Sequence, residues 1–313
     1  MHFYTPDVYQ GASAGIAGFL AFVPKTAGFF AIMLLTSAVG WRFGESGQAL
    51  PGVLRDILFA LAVGTMTVGN VLAILQTSVK RMLAYSSIAH SGYMLVGIIA
   101  GPGRPGSAGA DAPAFASNGL AAVLFYLLSY GVMTIGAFAV LASLERRNSK
   151  GELEEVDSIN DLRGLCHSHP LLGWTMVLSA AGLLGLPPLL GFFGKLPLFT
   201  SAINAGEIPL VLILGVNSAI AAYYYLRLMY VPFIESADRS PNLAPLQETP
   251  FASRRAAAMI ASAGVIVLAL GGSTIAEFAR ESARPASEGT PKRLPASQRG
   301  EAPVESPALP VRG

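Results

Sequence analysis

The sequence predicts an all-α membrane protein, a polytopic bundle of about seven transmembrane helices, one of them discontinuous. Composition is the first indication, because 52% of the 313 residues are hydrophobic and only 13% are charged, whereas a soluble domain has about a quarter. Apolar stretches long enough to cross a bilayer, which takes about 20 residues, recur along the chain. No stretch alternates apolar and polar residues as a half-buried strand does, so helices are the expected spanning elements.

The predicted helices follow one another through short linkers that contain Gly, Pro and charged residues. They lie near residues 13–40, 53–76, 82–100, 119–144, 170–204, 208–234 and 256–278. Together they form a predicted transmembrane bundle over residues 13–278. Residues 145–169 are rich in charge and predict a cytoplasmic connector with room for a short surface helix. Residues 279–313 are rich in Pro, Ala, Ser, Glu and Arg and predict a disordered tail.

The fifth predicted span is too long for one helix. As a single helix, residues 170–204 would be roughly 50 Å long, against a hydrocarbon core of about 30 Å. Its middle contains Gly185, Pro187 and Pro188, and the two prolines remove two backbone donors. The sequence therefore predicts two half-helices around an unwound centre, a feature that often marks ion sites in transporters.

Charge and cysteine content exclude several classes of function. The net charge of +2 gives no reason to expect a nucleic-acid partner. The single cysteine, Cys166, excludes a disulfide framework and a Cys-based iron–sulfur or zinc site. The four histidines show no paired spacing that would suit a haem. The chain is therefore expected to carry no metal and no redox centre of its own.

The positions of Lys and Arg in the loops predict the orientation, since short cytoplasmic loops carry the excess. One side of the predicted bundle carries Lys80, Arg81, Arg146, Arg147, Lys150, Arg163, Arg239, Arg254 and Arg255. The other side, before the tail, carries only Arg42, Arg55 and Arg104. The first side is predicted to be cytoplasmic.

Two lysines lie where an apolar helix should exclude charge. Lys25 follows Pro24 in GFLAFVPKTAGFFAIML, near the expected mid-depth, and Lys195 follows the predicted break in LPPLLGFFGKLPLF. An ionised lysine at the centre of a spanning helix costs at least about 2.5 kcal/mol, so each must face a wet cavity or a partner, or give up its proton. Such an amine suits proton loading and unloading. The alternatives are snorkelling or a structural ion pair for Lys25, and satisfaction of freed carbonyls for Lys195.

Lys80 and His90 lie on the third predicted helix, in QTSVKRMLAYSSIAHSGYM. Lys80, beside Arg81 at the cytoplasmic end, is equally compatible with a proton relay and with a topology anchor. His90 lies near the middle of the helix, where a neutral imidazole either relays protons or is a hydrogen-bonded core residue. Both interpretations of each residue stay open.

Polar side chains also follow the predicted helices at regular spacing. Tyr126, Tyr130 and Thr134 repeat every four residues and therefore share one helix face. Other polar residues, on the second and sixth helices, are Thr67, Asn70, Asn217 and Ser218. Such residues commonly hydrogen-bond neighbouring helices, and that interpretation is favoured over a file of water molecules.

Several strings of the chain resemble, in combination, the antiporter-like membrane subunits of respiratory complex I. The strings are HFYTPDVYQGA, QTSVKRMLAYSSIAHSGYMLVG, FYLLSYGVMTIGAFAV, DLRGL, GLPPLLGFFGK and NSAIAAYYYLR, within residues 2–235. The first string and the tyrosine pattern are similar to the subunit N branch in particular. The resemblance implies a multi-pass subunit of a prokaryotic inner membrane that conducts protons while quinone is reduced elsewhere in an NADH:quinone oxidoreductase.

The resemblance also implies roles for individual residues. Lys25 matches the family's lysine in the helix after TPDVY, and Lys195 matches the lysine of its second broken helix. Lys80 and His90 match the family's KR-LAYSSI-H string, and His2 matches the histidine before TPDVY. The implied partners are other membrane-arm subunits, the lipid bilayer and protons. NADH, flavin, iron–sulfur clusters and quinone are implied to bind to other subunits, with no cofactor in this chain.

The chain also departs from the family pattern. The family has twice as many helices, and residues 1–12 match the remnant of a preceding broken helix, so the chain corresponds to a C-terminal half. Tyr4, Ser13 and Pro197 stand where the family has tryptophan, proline and an aromatic residue. Three functions stay open: a proton-conducting subunit of NADH:quinone oxidoreductase, a subunit of a multi-subunit cation/proton antiporter, or an inactive fragment.

Overall fold

The computed structural model describes residues 4–40, 50–103, 118–147, 151–234 and 246–271. In chain order its α-helices are α1 (Thr5–Gly11), α2 (Ala14–Val39), α3 (Gly52–Ile74), α4 (Val79–Ala100), α5 (Gly119–Ala142), α6 (Leu165–Ser168), α7 (Pro170–Leu184), α8 (Leu190–Asn204), α9 (Ile208–Tyr230) and α10 (Ala252–Leu270). Within these ranges, six helices are long and apolar enough to cross a membrane. The prediction of an all-α polytopic bundle is confirmed.

A discontinuous helix completes the bundle. The half-helices α7 and α8 have 15 residues each and are roughly 22 Å long, too short for either to span a bilayer alone. α7 ends at Leu184 because Gly185 adopts a left-handed conformation, with φ of 90°, which glycine adopts without strain. The chain is then irregular until α8 begins at Leu190.

α4 and α5 run through the centre of the bundle. In the 18-residue apolar stretch of each helix, 89% of α4 and 78% of α5 is buried inside the bundle, against 22% for both α2 and α10. Close packing around α4 depends on glycine, since a Cβ on Gly92 would lie 2.7 Å from the backbone nitrogen of Met66 on α3. Small residues of this kind let neighbouring helices pack closely inside a lipid bilayer. The peripheral helices expose apolar side chains such as Phe19 and Leu34, as lipid-facing surfaces do.

A small antiparallel sheet lies at one end of the bundle, and the sequence did not lead us to expect it. Its strands β1 (Leu144–Arg147), β2 (Leu153–Glu155) and β3 (Gln247–Glu248) are arranged in the order β2-β1-β3. Strands of two to four residues are too short to show an alternating pattern. The region predicted as a charged connector thus contains two of these strands, a 3₁₀ turn at Ile159–Leu162 and the short helix α6.

Some predictions fall outside the described residues. These are the disordered tail at 279–313, the last part of the helix predicted near 256–278, His2, and four basic residues used for the orientation, Arg42, Arg104, Lys150 and Arg239.

Candidate functional site

Lys25 reaches into the bundle from the middle of the peripheral helix α2. Its Nζ donates to the backbone oxygen of Ser87 and to Ser87 Oγ, both at 2.6 Å. The same nitrogen lies 4.2 Å from the ring centroid of Tyr130 on α5, within the range of a cation–π contact. The ammonium group is therefore directed at α4 and α5, which is the opposite of snorkelling along the helix to a membrane surface.

His90 lies at the centre of the bundle and is completely buried. Its Nδ1 lies 2.5 Å from the hydroxyl of Tyr126 on α5, and its Nε2 lies 2.8 Å from the hydroxyl of Tyr225 on α9. Tyr225 in turn shares a hydrogen bond with Ser86. A neutral imidazole donates from one nitrogen and accepts at the other, so both hydroxyls can be satisfied. This arrangement makes His90 a well-bonded core residue that also has a polar partner on each side.

Lys195 lies in the second turn of α8, next to the helix break. Its Nζ donates to the backbone oxygen of Leu184, the last residue of α7, at 2.7 Å. The nitrogen also lies 5.4 Å from the ring centroid of Tyr93 on α4. Lys195 therefore does satisfy a carbonyl freed by the break, as the structural interpretation expects. Two of the three N–H bonds of its ammonium form are not used by this contact.

Aromatic rings join these three residues into one line, which we call the central track: Lys25, Tyr130, His90, Tyr93 and Lys195. The Tyr130 ring lies between Lys25 and His90, with its centroid 5.0 Å from the imidazole centroid. The Tyr93 ring lies between His90 and Lys195, 5.3 Å from the imidazole. Throughout the described ranges, neither lysine of the track takes part in an ion pair.

Lys80 lies apart from the central track. It lies in the first turn of α4, ten residues before His90, a distance of roughly 15 Å along the helix. Its side chain is buried, and its Nζ donates to Glu155 Oε2 at 2.8 Å and to the backbone oxygen of Ala12 at 3.1 Å. A lysine that serves only as a topology anchor would lie free at the interface, so this buried ion pair favours a more specific role.

The polar residues of α3 and α9 support the track from one side. Asn70 donates to the hydroxyl of Tyr93 at 2.9 Å and accepts from the hydroxyl of Tyr224 at 2.9 Å. Asn217 lies beside it and donates to Thr67 at 3.3 Å. These contacts agree with hydrogen bonding between helices, and the bond to Tyr93 also fixes the orientation of one ring of the track.

At the opposite end of the bundle from Lys80, Arg55 and Glu207 form a bidentate ion pair. Arg55 Nε and Nη2 lie 2.8 and 2.5 Å from the two carboxylate oxygens of Glu207, which is buried. The pair connects the start of α3 to the turn between α8 and α9.

Sequence reasoning missed several of these residues. Tyr93 follows His90 by one helical turn, and Tyr225 lies within the quoted string YYYLR. Their positions beside residues already singled out were a weak indication of a role in the site. Ser87, Glu155 and Glu207 had no such indication, because their importance depends on contacts between distant parts of the chain.

An apolar bundle with a broken helix and buried amines defines a polytopic membrane protein with ionisable groups inside the membrane. Residues 1–221 match the family model described as NADH:quinone oxidoreductase/Mrp antiporter, TM. The chain belongs to this family.

Individual relatives refine this placement. The chain is similar to the NADH-quinone oxidoreductase subunit N of Salinibacter ruber, with 41% identity over 268 residues, 85% of this chain and 48% of that protein. It is also similar to the subunit N of Trichlorobacter lovleyi, with 37% identity over 90% of this chain and 52% of that protein. The resemblance to subunit N is confirmed. The chain spans about half the length of these curated relatives.

A solved structure agrees with the sequence comparisons. A chain of respiratory complex I from Thermus thermophilus with bound aureothin matches with a TM-score of 0.67 and 32% identity. The match covers 88% of this chain and 54% of that chain.

Proposed function

We propose that this chain is a membrane-arm subunit of a proton-translocating NADH:quinone oxidoreductase and conducts protons along the central track. The observation that supports this most is the line of ring contacts from Lys25 through His90 to Lys195. An ionised amine inside the membrane is costly, and these two amines bind neutral oxygens. Their protons are therefore not held in place by a carboxylate, which suits groups that take up and release protons in turn.

Each member of the track has a task in this proposal. Lys25 holds a proton against Ser87, and His90 accepts a proton at one ring nitrogen and releases one from the other. The hydroxyls of Tyr126 and Tyr225 bond the two nitrogens and fix the imidazole between them. Lys195 delivers the proton to the unwound segment after Leu184, where irregular backbone can be hydrated.

We further propose that electron transfer takes place in other subunits. One cysteine in the whole chain cannot bind an iron–sulfur cluster. NADH, flavin, iron–sulfur clusters and quinone are accordingly assigned to other subunits, and the partners of this chain are neighbouring membrane-arm subunits, lipid and protons. The exposed apolar faces of α2 and α10 support a multi-pass membrane location, and the bacterial subunit N relatives support a prokaryotic inner membrane.

The decisive experiment removes the first amine of the track. Lys25→Ala is introduced into the assembled complex, which is reconstituted into liposomes, and NADH oxidation and proton uptake are recorded together. We expect the number of protons moved per NADH to fall while the complex still assembles with all its subunits. Val23→Ala, two residues away on the exposed face of α2, is the matched control and should pump normally.

Two outcomes would contradict the proposal. Normal proton pumping by Lys25→Ala would exclude the track as the route. The second outcome is sodium–proton exchange by vesicles that contain this chain but do not oxidise NADH. It would instead support a cation/proton antiporter, which the family description also covers.

A further inference from the structure

The connector before α6 is attached to the start of α4 by one carboxylate. Asp157 Oδ1 accepts from Ser78 Oγ at 2.7 Å and from the backbone nitrogen of Lys80 at 3.1 Å. The backbone oxygen of Asp157 accepts from Val79 at 2.6 Å. A carboxylate at a helix N-terminus satisfies free N–H groups and interacts favourably with the helix dipole. Asp157 therefore fixes the position of the residues around it.

Glu155 lies two residues earlier in the same extended segment. Residues two apart on a strand point to the same side, and Glu155 also reaches the end of the bundle. Its Oε2 accepts from Lys80 Nζ at 2.8 Å and from the backbone nitrogen of Ala14, the first residue of α2, at 2.8 Å. One carboxylate oxygen thus bonds the amine and the start of a second helix.

The two partners differ in their access to solvent. The Lys80 side chain is 7% exposed and the Glu155 side chain 22% exposed. Lys80 is enclosed by Glu155 on one side and by the backbone oxygen of Ala12 on another. Among these contacts, Glu155 is the ionisable group that water can reach, and it lies within proton-transfer distance of the buried amine.

A chain of contacts leads inward from Lys80. Ala12 follows the C-terminus of α1, and Tyr9, one turn earlier, is buried and faces Ser87. Ser87 lies seven residues after Lys80 on α4, two turns along the same face. Ser87 is also the residue to which Lys25 donates. The end of α1 therefore bridges the gap between Lys80 and the first amine of the central track.

We propose that Glu155 is the entry carboxylate of this chain, which collects protons from the cytoplasmic side and passes them to Lys80. This inference rests on the proposed function. The Glu155 carboxylate takes a proton from a hydronium ion, which becomes water, and is then a neutral acid. When Lys80 has released a proton past Tyr9 and Ser87 to a neutral Lys25, its own neutral amine takes the proton of Glu155, which restores the ammonium group and the carboxylate. Glu155 carries the proton only as far as Lys80 and is not a member of the central track.

The test compares Glu155→Gln with Lys25→Ala in the reconstituted complex. Glutamine retains the size of the side chain and an oxygen that accepts from Lys80 and Ala14, but it does not ionise. We expect Glu155→Gln to lower the protons moved per NADH to the level of Lys25→Ala, and Glu155→Asp to recover at least half of the loss. The matched control is Glu248→Gln, which removes a carboxylate paired with Arg255 at the exposed end of α10 and should pump normally.

The outcomes separate the two proposals. If Lys25→Ala loses pumping but Glu155→Gln does not, the entry assignment is overturned and the central track stands. If Lys25→Ala pumps normally, the proposed function fails first. If Glu155→Gln does not assemble, Glu155→Asp decides through the dependence of pumping on cytoplasmic-side pH. A shifted profile supports a titrating role, and an unchanged profile overturns it.

Discussion

Positively charged side chains have different hydrogen-bond partners in the middle of the bundle and at its ends. In the middle, Lys25 and Lys195 bind the oxygens of Ser87 and Leu184, which are neutral. At the ends, Arg55 and Lys80 each bind a carboxylate. A charge that faces a counter-charge at hydrogen-bond distance is held in place, whereas a buried amine that binds neutral oxygens can lose its charge at lower cost. The difference indicates that Arg55 and Glu207 hold the architecture at one end and that the middle is built to exchange protons, while Lys80 and Glu155 both join elements and, in our proposal, admit protons.

The ion pairs at the ends also connect elements that are distant in sequence. Arg55–Glu207 joins α3 to the turn before α9, and Lys80–Glu155 joins α4 to the sheet. The central amines instead connect α2 to α4 and α8 to α7 through single donors. Removing one partner of an end pair should therefore destabilise the fold more than removing a central amine.

The largest effect is expected at the buried pair. Glu207→Ala removes both hydrogen bonds to Arg55, which is 21% exposed and keeps Asp56 at 2.9 Å, so the loss should be about 2–3 kcal/mol, as for hydrogen bonds to a charged group. The measurement is the free energy of unfolding of the purified chain in detergent micelles, followed by its helical circular dichroism.

An exposed pair provides the control for this prediction. Arg255 and Glu248 are 41% and 30% exposed, so Glu248→Ala should cost no more than about 1 kcal/mol. Replacing both members of the buried pair, in Arg55→Leu with Glu207→Leu, should restore much of the stability. Equal losses at the two sites would refute a special role for the buried pair.

The second prediction concerns the centre of the track. His90→Phe retains a ring but removes the partner of the Tyr126 hydroxyl, while Tyr225 keeps Ser86, and an unsatisfied buried hydroxyl costs about 1–3 kcal/mol. The substitution should also abolish proton pumping. His90→Gln, whose amide can donate to one hydroxyl and accept from the other, should regain stability but not pumping. Full pumping by His90→Phe would show that protons bypass the imidazole.

The sequence predicted those parts of the site that stand out within otherwise apolar spanning helices. Lys25 and Lys195 stood out because a charge in a spanning helix needs an explanation, and the break between α7 and α8 followed from Pro187 and Pro188. Their roles in proton transfer stay predictions, as do those of Lys80 and His90. Glu155 could not be found this way, because it lies 75 residues from Lys80 in sequence and meets it only through the folded connector.

The third prediction tests the hydrogen bond from Lys195 to the backbone oxygen of Leu184. Gly185 has a φ of 90°, and a side chain in a left-handed conformation costs about 1–2 kcal/mol. A Cβ at this position would also lie 3.1 Å from Cδ of Lys195, so Gly185→Ala should displace the amine from the Leu184 carbonyl. We expect a partial loss of pumping, with Gly215→Ala as the control, where the nearest side-chain atom is 3.9 Å away. Unchanged pumping by Gly185→Ala would mean that the bond to Leu184 does not matter for transfer.

The smallest effect on stability is expected at Lys25, where the effect on function is expected to be large. Lys25→Met retains the length of the side chain and removes an amine whose contacts among the described residues are its hydrogen bonds to Ser87 and the Tyr130 ring. No carboxylate is left behind, and the desolvation cost of the ammonium disappears, so the free energy of unfolding should change by less than about 1 kcal/mol. Lys80→Met is the matched comparison, because it leaves Glu155 without its ammonium partner and should cost more. If Lys25→Met were the more damaging of the two, Lys25 would have to be counted with the structural cations at the ends of the bundle.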